Sequence, residues 1–498
     1  MLKSDDFWLS SLDGLQGLRE KSVWAFAAVG SSQIIKLTLN LMGTLILVRL
    51  LTPADFGVVA LTSILFNFIL VFKDFGFSAA IIQREKIRQR EVSTIFWLTV
   101  ALGVAFAATS VALAPLLAFL LKQPTLIEAF SALSLGFIVT SLSAVHSALL
   151  QRNLRFLTLG VVEIVALLIS MITAIVMAKL GYGWWSLIWQ RVIQSAVATV
   201  GVWLACSWRP STLLDIAGAR AHLILGAHIS GANFAGYISR NADNVLIGWY
   251  WGATLVGFYS KAYDLVMAPL VHVSAPLGQV IQPMLGRLTS EPARYREFFR
   301  HSLTGSLVVL LPLGVVMSSE PSLVTDVLFG SAWEAAAPVI GWLGLQLFVG
   351  LSGSVLTWSL ISRQRGADLS RAAVVNAAVT LIGFAVSVPS GIDAVAATYA
   401  LTGLFFRTPY LFFVSTSDGY LPRRDLARAL IFPIVACVTT FVALVTVQKL
   451  DWFGTRPGWA DLSIQLLVGY ALIALLAFRT DFGRFISANF RNLSGLRG

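Results

Sequence analysis

The chain has 498 residues, of which 57% are hydrophobic and 12% are charged, and its mean hydropathy is +0.79. Soluble domains carry roughly 25% charged residues, so the composition excludes an ordinary soluble enzyme. The formal net charge of +11 does not indicate nucleic acid as a partner, because the cations stand in short clusters between long apolar runs. This pattern is typical of a polytopic membrane protein that is surrounded by membrane lipids.

Apolar runs of about 20 residues, the length of helix that crosses a bilayer core, predict fourteen transmembrane helices. They are expected at residues 23–48, 56–72, 92–121, 126–150, 157–178, 185–206, 222–248, 254–285, 301–319, 333–361, 372–388, 392–416, 427–448 and 460–478. No loop between them exceeds about twenty residues, so we expect no soluble domain on either face. The predicted fold class is an all-α polytopic membrane protein.

Lysine and arginine divide unevenly between the two sets of connecting segments. Alternate segments, counted from the N-terminus, hold 26 of these cations, and the intervening loops hold 5. Because short cytoplasmic loops accumulate Lys and Arg, we expect both termini to be cytoplasmic. The first twenty residues contain four acids and no apolar core, so we do not expect a cleaved signal peptide.

Five cations remain inside predicted spans, where each costs about 2.5–3.5 kcal/mol or more unless it meets a partner or water. They are Lys36, Arg191, Arg240, Lys261 and Arg407, and three acids share the spans, Glu163, Asp243 and Asp264. In two pairs, Arg240/Asp243 and Lys261/Asp264, the acid follows the cation by three residues and shares its helix face. Each pair is therefore either a structural ion pair or part of a polar site. Lys36 and Arg191 have no acid at helical spacing. They are the better candidates for an anionic ligand, and snorkelling or pairing across helices is the alternative.

Two further features suggest internal organisation. The overlong eighth span holds Pro269, Pro276 and Pro283. Prolines kink helices, and broken helices in transporters line cavities. A kink that faces lipid is equally compatible with these prolines. A faint repeat at an offset of 200 residues sets 46–60 against 246–260 and aligns Gly57 with Gly257. We predict a cytoplasmic N-terminal segment (1–22), a six-helix lobe (23–206), a cytoplasmic linker (207–221), a second six-helix lobe (222–416), and a terminal helix pair with a cytoplasmic tail (417–498).

Short motifs recur along about the first 420 residues. They are VRLLTPADFG (48–57), FKDFGFSAAIIQR (72–84), STIFW (93–97), LLQRNLRF (149–156), GYGWWSLIWQ (181–190), DNVLIGWYWGATLVGFYSKAYDL (243–265) and QPMLGRL (282–288). Together they resemble the polysaccharide transporter family of the MOP exporter superfamily, the Wzx-like oligosaccharide-lipid flippases of exopolysaccharide and colanic-acid export. The resemblance implies two pseudo-symmetric lobes around a central cavity and alternating access in the bacterial inner membrane. It also implies transfer of undecaprenyl-diphosphate-linked repeat units from the cytoplasmic to the periplasmic leaflet.

Such a substrate carries about two negative charges on its diphosphate, and moving them through hydrocarbon is costly. A hydrated cationic cavity is therefore expected, since arginine and lysine both bind phosphate oxygens. The predicted substrate-binding residues are Lys36, Arg191, Arg240 and Lys261, with Lys73 and Arg407 nearer to span ends. No P-loop signature for nucleotide binding occurs, so an ion gradient, the membrane potential or consumption of the product must drive transport. The predicted sites for H⁺ or Na⁺ are Asp264, Asp243 and Glu163, with Asp264 preferred because it lies one turn from Lys261.

Two other classes are compatible with a polytopic chain. A membrane glycosyltransferase or O-antigen polymerase usually needs a sizeable periplasmic loop with catalytic residues, whereas the predicted outer loops are short. A drug or cation antiporter of the same superfamily needs an acidic cavity, whereas these spans hold more cations than acids. We expect no catalytic residue, and no cofactor apart from a coupling ion; the histidines and cysteines lack metal-ligand spacing. A polymerase and a chain-length regulator on the periplasmic side are expected partners of a flippase.

Overall fold

The computed structural model describes residues 8, 18–73, 81–82, 87–212, 241–449 and 458–478. Within these ranges the chain consists of helices and short turns, without a strand. A helix satisfies its backbone hydrogen bonds internally, as hydrocarbon requires. The predicted all-α polytopic fold is confirmed.

The chain folds into two compact units, Met1–Gly257 and Phe258–Gly498. The long helices of the first unit are α1 (Leu18–Leu50), α2 (Pro53–Lys73), α3 (Gln89–Leu120), α4 (Thr125–Arg152), α5 (Phe156–Lys179) and α6 (Trp185–Ala205). They agree with the first six predicted spans to within a few residues. The seventh predicted span and the predicted linker lie largely outside the described residues, although 241–251 are helical. The predicted lobe boundary therefore stays a prediction.

Helix α7 (Ala253–Arg287) begins in the first unit and continues in the second. It is followed by α8 (Pro292–Ser319), α9 (Pro321–Leu328), α10 (Ala337–Gly344), α11 (Gln346–Ser362), α12 (Gly366–Ser387), α13 (Ile392–Thr402), α14 (Thr408–Thr416), α15 (Arg423–Lys449) and α16 (Gly458–Phe478). A 3₁₀ turn precedes α10, and a π-helical turn joins α13 to α14. The tenth and twelfth predicted spans are thus built from shorter pieces.

Eleven helical stretches in the described part of the chain are long and apolar enough to cross a membrane. The interrupted α13–α14 stretch is not among them, and in α2 the apolar stretch Pro53–Ile64 is shorter. The chain is therefore a multi-pass membrane protein. The total of fourteen spans remains a prediction.

The segment after α6 folds back along the start of α3. Trp208 is fully buried, and its Nε1 donates to the Gln89 side-chain oxygen at 2.5 Å. The backbone N–H of Ser211 donates to Ser93 Oγ at 2.9 Å, and Trp97 Nε1 donates to the Ser211 carbonyl oxygen at 3.0 Å. These contacts fasten the beginning of the predicted inter-lobe linker to the first unit.

The two aligned glycines of the repeat meet each other within the first unit. A Cβ atom on Gly57 would lie 1.7 Å from the Ala253 carbonyl oxygen, and one on Gly257 would lie 1.8 Å from the Pro53 carbonyl oxygen. Pro53 and Ala253 are also separated by 200 residues, so the first turns of α2 and α7 cross in a nearly symmetric way. Backbone packs directly on backbone, and only glycine fits at both positions.

Candidate functional site

Lys36 and Glu163 form an ion pair between α1 and α5. Lys36 Nζ lies 2.5 Å from Glu163 Oε2, and the two side chains are 19% and 50% exposed. The helices approach closely because Gly160, one turn before Glu163, packs against Ser32, with an ideal Cβ only 3.0 Å from the Ser32 Cβ. The structure thus brings a predicted substrate-binding cation together with a predicted ion-coupling acid. Pairing across helices was the alternative that the sequence left open for Lys36.

Lys261 and Asp264 form a second ion pair on α7, in the second unit. Lys261 Nζ lies 2.6 Å from Asp264 Oδ2, as the spacing of three residues predicts, and Asp264 is 63% exposed. Helix α7 continues through Pro269, Pro276 and Pro283. The interruptions of the second unit lie elsewhere, before α11 and after α13.

Arg407 ends the π-helical turn Gly403–Arg407. Its Nη2 donates to the carbonyl oxygen of Tyr399 at 2.6 Å, and its guanidinium carbon lies 4.2 Å from the centre of the Tyr399 ring. Gln346 Nε2 donates to the same carbonyl oxygen, also at 2.6 Å. Sequence reasoning missed Gln346 and Tyr399 as neighbours of this cation. Gly403 and Pro409 in one predicted apolar span were the available signs of irregular backbone.

Four predicted site residues remain, Arg191, Lys73, Asp243 and Arg240. Arg191 is half-buried on α6, and Lys73 is the last residue of α2. Asp243 is buried, and its Oδ1 accepts the backbone N–H of Asn244 at 2.8 Å. Arg240 lies outside the described residues, and with it the predicted Arg240/Asp243 pair. Within the described ranges, no group of three or more His, Cys, Asp or Glu side chains is placed to hold a metal ion.

The sequence of the chain matches a known protein family and several known relatives. Residues 46–338 match the model of a family described as polysaccharide biosynthesis protein. The lipopolysaccharide biosynthesis protein WzxC of Escherichia coli (strain K12) is 26% identical over 342 residues, which cover 68% of each chain. The succinoglycan biosynthesis transport protein ExoT of Rhizobium meliloti (strain 1021) is 27% identical over 303 residues, which cover 60% of this chain and 61% of ExoT.

Solved structures share the fold. The Lipid II flippase MurJ, in an inward closed conformation, superposes with a TM-score of 0.70 at 14% identity, over 92% of this chain and 98% of MurJ. A multidrug resistance MATE family transporter of the MOP superfamily, in an inward-facing conformation, superposes with a TM-score of 0.59 at 13% identity. The superposition covers 77% of this chain and 97% of the transporter. The resemblance predicted from the motifs is confirmed. Its fold is shared with MurJ and with the MATE transporter. Because the family model matches more than half of its length, the chain belongs to the polysaccharide biosynthesis protein family.

Proposed function

We propose that the protein is a flippase for exopolysaccharide assembly. It moves undecaprenyl-diphosphate-linked oligosaccharide repeat units from the cytoplasmic to the periplasmic leaflet of the bacterial inner membrane by alternating access. Membership of the polysaccharide biosynthesis protein family and similarity to WzxC and ExoT carry this proposal. Intramembrane cations in both units support it, because a diphosphate needs cationic partners to cross hydrocarbon.

The two lysine–carboxylate pairs suggest how a charged headgroup is accepted. Glu163 and Asp264 are each at least half exposed, and a charged side chain facing hydrocarbon is costly. The exposure of these two carboxylates therefore favours a hydrated path through the membrane. A substrate diphosphate can take the place of the carboxylate beside Lys36 or Lys261, because phosphate oxygens also accept hydrogen bonds from a lysine ammonium.

The test of the proposed function is transport by the purified protein in proteoliposomes. Defined lipid-linked oligosaccharides in one leaflet should become accessible to a membrane-impermeant reagent on the other side faster than in protein-free vesicles. An antiporter would instead move cationic drugs and leave the lipid-linked oligosaccharides in place. A polymerase would lengthen the glycan. Either result, without flipping, would contradict the proposal.

Coupling to an ion gradient gives a specific prediction for Asp264. A diphosphate that binds Lys261 would displace Asp264 from its ion pair and leave that carboxylate free to bind a coupling cation. We expect Asp264→Asn to uncouple transport from an imposed H⁺ or Na⁺ gradient more severely than Glu163→Gln does. Equal transport rates with and without the gradient, in the wild type and in Asp264→Asn, would contradict ion coupling. Transport would then be pulled by consumption of the flipped product.

The orientation of the chain gives a second prediction. Because cations collect in cytoplasmic loops, reporter fusions in residues 80–90, 287–300 and 418–426 should report the cytoplasm. Fusions in residues 320–332 and 450–459 should report the periplasm. A periplasmic signal from residues 80–90 would overturn the proposed topology, including the cytoplasmic placement of both termini.

A further inference from the structure

Helix α16 packs along the junction of α8 and α9 in the second unit. At the start of α16, a Cβ atom on Gly458 would lie 3.0 Å from Val327 Cγ2 and 3.6 Å from Leu323 Cδ1, both on α9. Further along α16, the Tyr470 hydroxyl donates to the Val309 carbonyl oxygen of α8 at 3.0 Å. The first turn of α16 therefore lies beside α9, and its later turns lie beside α8.

This register brings two acids together. Glu320 joins α8 to α9 and stands one turn before Leu323. Asp461 stands one turn after Gly458, in the first turn of α16. Glu320 is 7% exposed, and its burial, together with the charge of Asp461, raises the pKa of its carboxyl. Two carboxylates that act on each other in this way are stabilised in their charged forms by a cation between them.

A buried amide completes the group. Gln465 follows Asp461 by one turn on the same face of α16, and its Nε2 donates to Asp461 Oδ1 at 3.4 Å. Gln465 is 5% exposed, and its Oε1 is buried without a hydrogen-bond partner among the described residues. A buried acceptor that is left unpaired is unfavourable. Beside the Asp461 carboxylate, the partner that this amide oxygen lacks is a donor or a cation.

The three side chains offer the oxygen atoms that hard cations prefer. Ca²⁺ is bound in proteins by Asp and Glu carboxylates, by Asn and Gln carbonyl oxygens and by water, in a flexible geometry. Mg²⁺ demands near-ideal octahedral geometry and dehydrates reluctantly, and Zn²⁺ is bound mainly by nitrogen and sulfur. Two carboxylates also match the charge of a divalent cation. The chemistry of the group therefore favours Ca²⁺.

We propose that Glu320, Asp461 and Gln465 bind a Ca²⁺ ion that ties the start of α16 to the junction of α8 and α9. Three side chains leave coordination positions for water, to which the partly exposed Asp461 gives access. The site is separate from the predicted coupling residue Asp264, which pairs with Lys261 on a single helix. It does not depend on the proposed function, because no contact with the transported lipid enters it.

The experiment measures Ca²⁺ binding by the purified full-length protein in detergent, after EDTA treatment and dialysis. The thermal unfolding midpoint is followed as CaCl₂ is added, with MgCl₂ and NaCl at equal ionic strength as comparisons. A ligand that binds only the folded protein raises the midpoint with concentration, and this rise gives the apparent Kd. We expect Ca²⁺ to raise the midpoint, Mg²⁺ to bind at least about tenfold more weakly, and Na⁺ to have no specific effect.

Glu320→Gln separates the cation site from a structural role. It keeps the shape of the side chain and removes the repulsion between two carboxylates, so we expect the midpoint without Ca²⁺ to be kept or raised. The apparent Kd for Ca²⁺ should rise at least about tenfold. Gln465→Leu should also weaken the response to Ca²⁺. Asp326→Asn, which removes an exposed acid of α9, is the matched control and should leave the response unchanged.

Three results would overturn the inference. The first is a wild-type midpoint that does not respond to Ca²⁺. The second is a response that Glu320→Gln and Gln465→Leu retain in full, because Ca²⁺ would then bind elsewhere. The third is a midpoint that rises on mild acidification but not with Ca²⁺, which would assign a shared proton to the two carboxylates. None of these results depends on lipid flipping, so the proposed function stands or falls on its own test.

Discussion

Lys36→Ala should abolish polymer export while the protein still inserts into the membrane. Lys36 Nζ contacts Glu163, and in transport it would contact the substrate diphosphate instead. Without the ammonium, the uncompensated Glu163 carboxylate repels that diphosphate. Export is measured as exopolysaccharide produced by a deletion strain that carries each variant, and insertion as protein in the membrane fraction. Lys36→Arg should be milder, because it keeps the charge.

A double variant separates substrate binding from simple neutralisation of Glu163. If Lys36 served only to neutralise that carboxylate, Lys36→Ala/Glu163→Ala would regain export, since no uncompensated carboxylate is left to repel the diphosphate. If Lys36 binds substrate, the double variant stays inactive. Lys179→Ala is the matched control, because Lys179 is exposed in the last turn of α5. If Lys36→Ala exports polymer at the wild-type level, Lys36 has only a structural role.

Gly57→Ala should destabilise the protein by about 3 kcal/mol, the upper end of what overpacking costs. The added methyl carbon would lie 1.7 Å from the Ala253 carbonyl oxygen, and this oxygen belongs to a helix backbone that cannot move alone. The first turns of α2 and α7 would have to separate. The change is measured as a lower thermal unfolding midpoint, and export should fall with it.

The reciprocal and control variants make this prediction specific. Gly257→Ala should have a similar effect, because its methyl carbon would lie 1.8 Å from the Pro53 carbonyl oxygen. The double variant should cost less than the sum, since one separation relieves both contacts. Gly353→Ala is the control: a Cβ there has no neighbour within 4 Å, and alanine gains about 0.5–1 kcal/mol over glycine inside a helix. Equal stability of Gly57→Ala and Gly353→Ala would contradict the crossing.

The sequence by itself determined the fold class and most helix positions. Lipid allows few ways to satisfy a backbone, so each apolar run of sufficient length must be a helix, and polar or Gly/Pro-rich segments must end it. The predicted ranges 126–150 and 157–178 differ from α4 and α5 by one or two residues at each end. The Lys261–Asp264 pair was also predictable, because i and i+3 share a helix face whatever the helix packs against.

Only the tertiary structure decided which faces meet. Lys36 and Glu163 are 127 residues apart, and hydrophobic periodicity says nothing of the direction in which two lipid-embedded helices turn toward each other. Gln346 and Tyr399, which are joined by a hydrogen bond, are 53 residues apart. Arg407 contacts Tyr399 from a π turn that an apolar run does not reveal. The repeat aligned Gly57 with Gly257 as equivalent positions. That they pack on each other depends on how closely two backbones approach, a property of long-range packing rather than of any local pattern.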